Sequence, residues 1–163
     1  MSGAIDTDEA LLQIARLPRV DEHSTTIDAG VDEVWRILLE TLDTGFARAP
    51  ASVYARLVGC REHTSSGPRP LVEGSTLPGF RVVSARPGAE LVLAGRHRFS
   101  SYALIFRLDE IGAHRSRLRA ESRATFPGPA GAVYRVLVIG TGGHAVAVGR
   151  MLAQVRRRAR GAA

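Results

Sequence analysis

The chain has 163 residues, 45% of them apolar, with a single cysteine, which suits one ordinary domain with a sizeable core and excludes an intramolecular disulfide or a multi-thiolate zinc site. All 22 basic residues are arginine, so Schiff-base chemistry, a phosphate-loop lysine and a lysine general base are excluded together. Residues 1–45 hold ten acids and three arginines, residues 46–163 six acids and nineteen arginines, within a net charge of +6. The two halves are expected to meet in one sheet and partly neutralise each other, so neither nucleic acid nor a membrane surface is expected as a partner.

From Met1 to Glu9 the chain places acids where a signal peptide would place basic residues. No apolar run approaches the roughly 18 residues that cross a bilayer, and a cytoplasmic location is expected. Residues 1–18 contain Leu11, Leu12, Ile14 and Leu17, enough for an amphipathic turn or two before Pro18, and read as a loosely attached arm ahead of a single domain over 19–160. Arg19 to Asp28 alternates as a strand, with His23, Thr25 and Ile27 on one side. After Ala29-Gly30, the residues Val31, Val34, Trp35, Leu38 and Leu42 fall on one helical face, with Asp32 and Glu33 in the first turn. A short helix is predicted over about 50–58, with Val53, Tyr54 and Leu57 on its inner side and Gly59 available to end it.

Arg61 to Pro70 reads as a loop, and a strand over 71–76 is the least marked. Four strands then follow, Phe80–Arg86, Glu90–Arg98, Tyr102–Glu110 and Arg115–Phe126, joined at hairpin distances by Pro87-Gly88, Ser100-Ser101 and Gly112-Ala113. The economical arrangement is an antiparallel meander. Pro127-Gly128-Pro129 ends it, and a final helix is predicted from about Ala132 to Arg158, roughly 40 Å long at 1.5 Å per residue. One face of that helix would carry Val133, Leu137, Gly140, His144, Val148, Met151 and Val155. A glycine and a histidine within an apolar stripe suggest a helix lining a cavity.

The order strand, two helices, antiparallel strands, long terminal helix implies an α+β domain with a curved sheet wrapped around the last helix. With His23-Ser24-Thr25-Thr26-Ile27-Asp28-Ala29 followed by Val34-Trp35, it resembles the START-like superfamily over residues 19–158. That is the helix-grip fold shared by polyketide cyclases, lipid-transfer domains and plant pathogenesis-related allergens. The resemblance implies a hydrophobic or amphipathic ligand, lipid or polyketide-like, held between sheet and terminal helix without a cofactor, or a cyclase or dehydratase using the same cavity. A homodimer stays open.

Gly140-x-Gly142-x-x-Ala145 after an apolar run imitates a dinucleotide fingerprint, but only 18 residues follow Ala145, none of them acidic, so the second strand and ribose-binding acid have no place. The candidate ligand-binding residues are His144 with its neighbours Gly140 and Leu137, the hairpin groups His97, Arg98 and Tyr102, and the aromatic walls Tyr54, Phe80, Phe106 and Tyr134. His144 is the candidate general acid or base. Alternation sends His97 and Phe99 one way and Arg96 and Arg98 the other; the inward pair is left open. In the last strand Leu118, Ala120, Ser122 and Ala124 are expected to face the helix. Arg117, Arg119, Glu121 and Arg123 face outward, with Glu121 as a cavity carboxylate being the alternative. Cys60 is expected to be simply buried. The five histidines lack the close spacing of a metal motif, so no metal is expected, and Gly-x-Ser-x-Gly is absent.

Overall fold

A computed structural model describes residues 6–162. Residues 1–5, part of the acidic N-terminal stretch, lie outside the described residues. Among those described, six strands form one antiparallel sheet: β1 (Arg19–Ile27), β2 (Thr76–Leu77), β3 (Phe80–Arg86), β4 (Glu90–His97), β5 (Ser100–Gly112) and β6 (Arg115–Thr125), in the order β1-β6-β5-β4-β3-β2. The meander is as predicted, except that the turn between β4 and β5 falls at Arg98-Phe99 while Ser100 and Ser101 are paired in β5, and β1 closes it by pairing with β6. Of the expected strand over 71–76 only Thr76 is in a strand, the two-residue β2 that it forms with Leu77 and that pairs with β3.

Helices α2 (Val31–Phe46) and α3 (Ala49–Leu57) connect β1 to β2. Alternation along the strands builds the core: Leu91 and Leu93 of β4 lie opposite Phe106 and Leu104 of β5. They pack with Leu118 and Ala120 of β6, Val34, Leu38 and Leu42 of α2, and Val148, Leu152 and Val155 from the last helix. Burying each such side chain is worth about 1.5–3 kcal/mol.

The terminal helix departs from expectation. Instead of one rod there is α4 (Gly128–Arg135), a π-helical segment (Val136–Gly140), and α5 (Gly143–Gly161), with a 46° bend between the two parts. Gly142 supplies the break by taking a left-handed conformation at φ 74°, which glycine adopts without steric cost. The Thr141 hydroxyl donates to the Leu137 carbonyl at 2.7 Å, serving an acceptor freed by the broken ladder. The stripe from Val133 to Val155 is therefore not one face: Val148 and Val155 are buried, whereas Leu137 is 63% exposed. No single described helix is long and apolar enough to cross a membrane; the two bent parts reach that apolarity only together.

Two further expectations change. The buried residue of α3 is Ala55, while Val53 and Leu57 are exposed and Tyr54 is only half-covered; apolar spacing alone could not tell which side the sheet takes. The segment expected as a loose arm includes a helix, α1 (Thr7–Arg16), whose Leu11 and Ile14 pack against Val92, Ala103 and Ile105 on the outer face of the sheet.

Candidate functional site

Between the inner face of the sheet, α3 and the broken terminal helix lies a cavity of about 410 Å³. Its walls are mainly apolar, with Phe46, Phe80, Leu104, Ala147 and Val148 among them, and its polar groups gather in two places.

The first is an aromatic end. His97 of β4 turns inward while Arg96 and Arg98 stay exposed, which resolves the alternative left by the sequence. His97 Nδ1 accepts the Phe99 N–H at 3.1 Å, so its proton sits on Nε2. Burial pushes its pKa below the ordinary histidine value, and the ring is neutral at pH 7. Tyr102 stands beside it, ring centroids 5.4 Å apart, and packs edge-on against Phe80 at 5.2 Å. The Tyr102 hydroxyl donates to the Gly79 carbonyl at 2.6 Å and lies 3.6 Å from Cys60 Sγ. Burial raises the pKa of Tyr102 and Cys60 alike, which keeps both groups protonated. Tyr134, from α4, closes the cluster 4.7 Å from His97 and 5.6 Å from Phe99, and its hydroxyl meets that of Tyr54 on α3.

Gly95 makes this end possible. It pairs with Tyr102 across the β4–β5 ladder, and a Cβ there would collide with the Tyr102 ring and the Gly79 carbonyl. The bare backbone is what lets the phenol lie across the strand.

The second place is the wall under α5. His144 Nε2 lies 2.8 Å from Ser122 Oγ and 3.7 Å from Asp21 Oδ1, while Asp21 Oδ2 faces His23 Nε2 at 3.3 Å. Burial lowers the His144 pKa most, Asp21 raises it and His23 lowers it, with a net downward shift. A bulge brings Asp21 here. Arg19 pairs with Arg123 and Asp21 with Ser122, so the extra residue Val20 reverses alternation and turns Asp21 inward although Arg19 faces out. Asp21 and Ser122 both approach the same ring nitrogen, which is unlike a nucleophilic triad, where acid and serine engage opposite nitrogens.

Of the residues singled out from the sequence, Tyr54, Phe80, His97, Tyr102, Tyr134 and His144 line the cavity. Four do not. Phe106 is 1% exposed in the solid core beneath α2 and α5. Leu137 and Gly140 are turned outward by the helix break, and Arg98 is exposed beside Gly59, in the two-residue turn that follows β4. Glu121 lies on the outer face, held by Arg107 at 2.7 Å and by Arg123. Cys60 is buried and Ser122 faces the terminal helix, as expected; Asp21 and Gly95 were not singled out from the sequence. No three of His, Cys, Asp or Glu converge as a metal site among the described residues.

No protein-family model matches the sequence, and no curated protein matches it. Solved structures do match at the level of the fold. The Zhui aromatase/cyclase from Streptomyces sp. R1128 is 14% identical with a TM-score of 0.56, the match covering 89% of this chain and 94% of that one. A conserved protein from Geobacillus kaustophilus is 16% identical with a TM-score of 0.50, covering 85% of this chain and 93% of that one. The six-stranded sheet gripping a terminal helix, and its match to these structures, give this chain the helix-grip fold.

Proposed function

We propose that this protein binds a hydrophobic or amphipathic small molecule, lipid- or polyketide-like, in the cavity between sheet and terminal helix. The observation that carries the reading is the hollow itself, about 410 Å³, within the roughly 300–1,000 Å³ of small-molecule sites. Its walls supply affinity by shedding water. The His97, Tyr102, Tyr134 and His144 groups supply orientation, because each is polar at the tip and apolar along its body. Arg123, the cavity's charged neighbour, is occupied by Glu121 and by the carbonyls of Ala15 and Leu17, so the ligand this site suits is neutral in its buried part.

The test is native mass spectrometry of purified protein, followed by extraction and identification of any co-purifying molecule. A bound apolar compound that Tyr134→Ala releases is expected; failure of any apolar or amphipathic compound to bind would end the reading.

A second reading, a cyclase or dehydratase with His144 as general acid or base, is favoured by one observation: His144 is a cavity-lining imidazole beside a carboxylate and a hydroxyl. Substitution separates the two. His144→Ala that leaves affinity nearly intact but abolishes turnover of a bound substrate favours the enzyme, and an equal loss of binding favours the carrier.

A further inference from the structure

Asp21 Oδ1 is buried and has no hydrogen-bond partner among the described residues, although a buried carboxylate oxygen without a donor is costly. His144 Nε2 stands 3.7 Å from it, engaged with Ser122 Oγ at 2.8 Å. Asp21 and Ser122 are register partners on β1 and β6, so the sheet holds both groups flanking that nitrogen, while the ring hangs from α5.

Both oxygens lie against one side of the imidazole. With its proton on Nε2, the ring donates to Ser122 and presents positive charge density to the carboxylate. With Nε2 bare, a lone pair would face the carboxylate instead. Asp21 therefore favours the Nε2–H form. The other nitrogen, Nδ1, has no partner among the described residues and belongs to a ring that lines the cavity. The charged or titratable groups that face His144 are Asp21 and His23 from β1; Arg123 of β6 is turned to Glu121 on the opposite face.

We infer that Asp21 is a positioning residue that keeps the His144 proton on Nε2, so that Nδ1 accepts a hydrogen bond from a hydroxyl on an otherwise apolar ligand, of the phenol or enol class. The inference rests on the cavity being the binding site. It narrows the ligand in two ways: a pure hydrocarbon would leave Nδ1 unserved, and a carboxylate would place a second anion near Asp21, where Arg123 is turned to Glu121 and no other cation among the described residues faces His144.

In 15N-labelled protein without ligand, long-range proton–nitrogen correlation of the His144 ring, recorded above its titration, reads the tautomer. Nε2–H is expected, and Nδ1–H or an even mixture overturns the proposal. Asp21→Asn is expected to lower the titration of His144 by roughly one unit, because it removes a negative charge close to Nε2; an unmoved titration also overturns it. The probes 2-naphthol and naphthalene test the acceptor. Wild-type protein is expected to favour 2-naphthol by about five-fold, the worth of one net hydrogen bond, and Asp21→Val to lose that preference. Equal affinity of wild type for both probes refutes the acceptor role and spares the cavity reading. Binding of neither probe refutes the cavity reading itself and the acceptor role with it, whatever the tautomer. The wild-type measurements need no variant, so a misfolded variant does not blunt the test.

Discussion

The two faces of β6 carry polar side chains one residue apart and treat them in opposite ways. Outward, Glu121 is only 5% exposed, yet it accepts hydrogen bonds from Arg107 and Arg123. Arg107 also binds Glu90 at 3.0 Å, and Arg119 binds Asp109 at 2.9 Å. Inward, Ser122 meets a single imidazole, and the Asp21 oxygen beside it has no donor at all among the described residues. A charge that serves stability is enclosed by partners. A polar group whose valence stays open under a cavity is free to serve something that comes and goes.

The largest expected effect comes from breaking the closed side. Glu121→Ala removes the carboxylate shared by Arg107 and Arg123, leaving Arg107 only Glu90 and Arg123 only the carbonyls of Ala15 and Leu17, and is expected to cost about 3 kcal/mol, read as a lower urea midpoint at unchanged ligand affinity. The pH dependence has a defined sign. Burial alone would raise the Glu121 pKa, but hydrogen bonds and charge from Arg107 and Arg123 outweigh it and hold the carboxyl below its usual range. Its contribution is complete above the ordinary carboxylate pKa and is lost as pH falls through the folded value. Glu121→Gln should flatten that limb of the stability curve, and an unchanged acid limb would refute the assignment.

Gly95→Ala sharpens the contrast from the inner side. The added methyl pushes Tyr102 off the strand, costs about 2 kcal/mol, and should weaken ligand binding as well, because the aromatic end loses its frame; denaturation and a binding isotherm on one sample check both. A smaller loss, about 1 kcal/mol, is expected for Tyr102→Phe, which leaves the Gly79 carbonyl unserved.

The smallest effect concerns histidine. Burial holds His97 neutral and its folded pKa low, so the unfolded chain takes up a proton that the folded chain resists. The penalty is absent above the ordinary histidine pKa and grows as pH falls from there toward the folded value. His97→Phe should remove that part of the acid sensitivity, and urea midpoints measured across this range would show whether it does.

What was legible in the sequence follows from how local its cause is. Alternation in Arg117–Ala124 placed each residue of β6 on its correct face, because a period of two needs no partner to be read. The 3.6-residue period likewise placed Val34 and Leu38 of α2 in the core. The helix break was not legible: Gly142 in a left-handed turn and a glycine within a helix are the same letter. Asp21 was hidden for a different reason. Its inward turn depends on the bulge at Val20, and its partner Ser122 lies a hundred residues away on another strand. The cavity residues taken from α3 and α4 show the same limit. Tyr54 and Tyr134 were read as aromatic wall, but their meeting depends on where the bend sends α4.

The absence of lysine acquires a structural meaning at Arg107. Its Nε reaches Glu90 on β4 and its Nη1 reaches Glu121 on β6, so one flat, forked cation on the middle strand of three ties both neighbours at right angles to the chain. A lysine carries its three donors on one ammonium nitrogen and lacks the planar fork that aims separate nitrogens at opposite neighbours. Arg107→Lys would therefore keep the charge and lose the lateral rivet. The sheet would keep every backbone ladder and yet become easier to splay beneath α1.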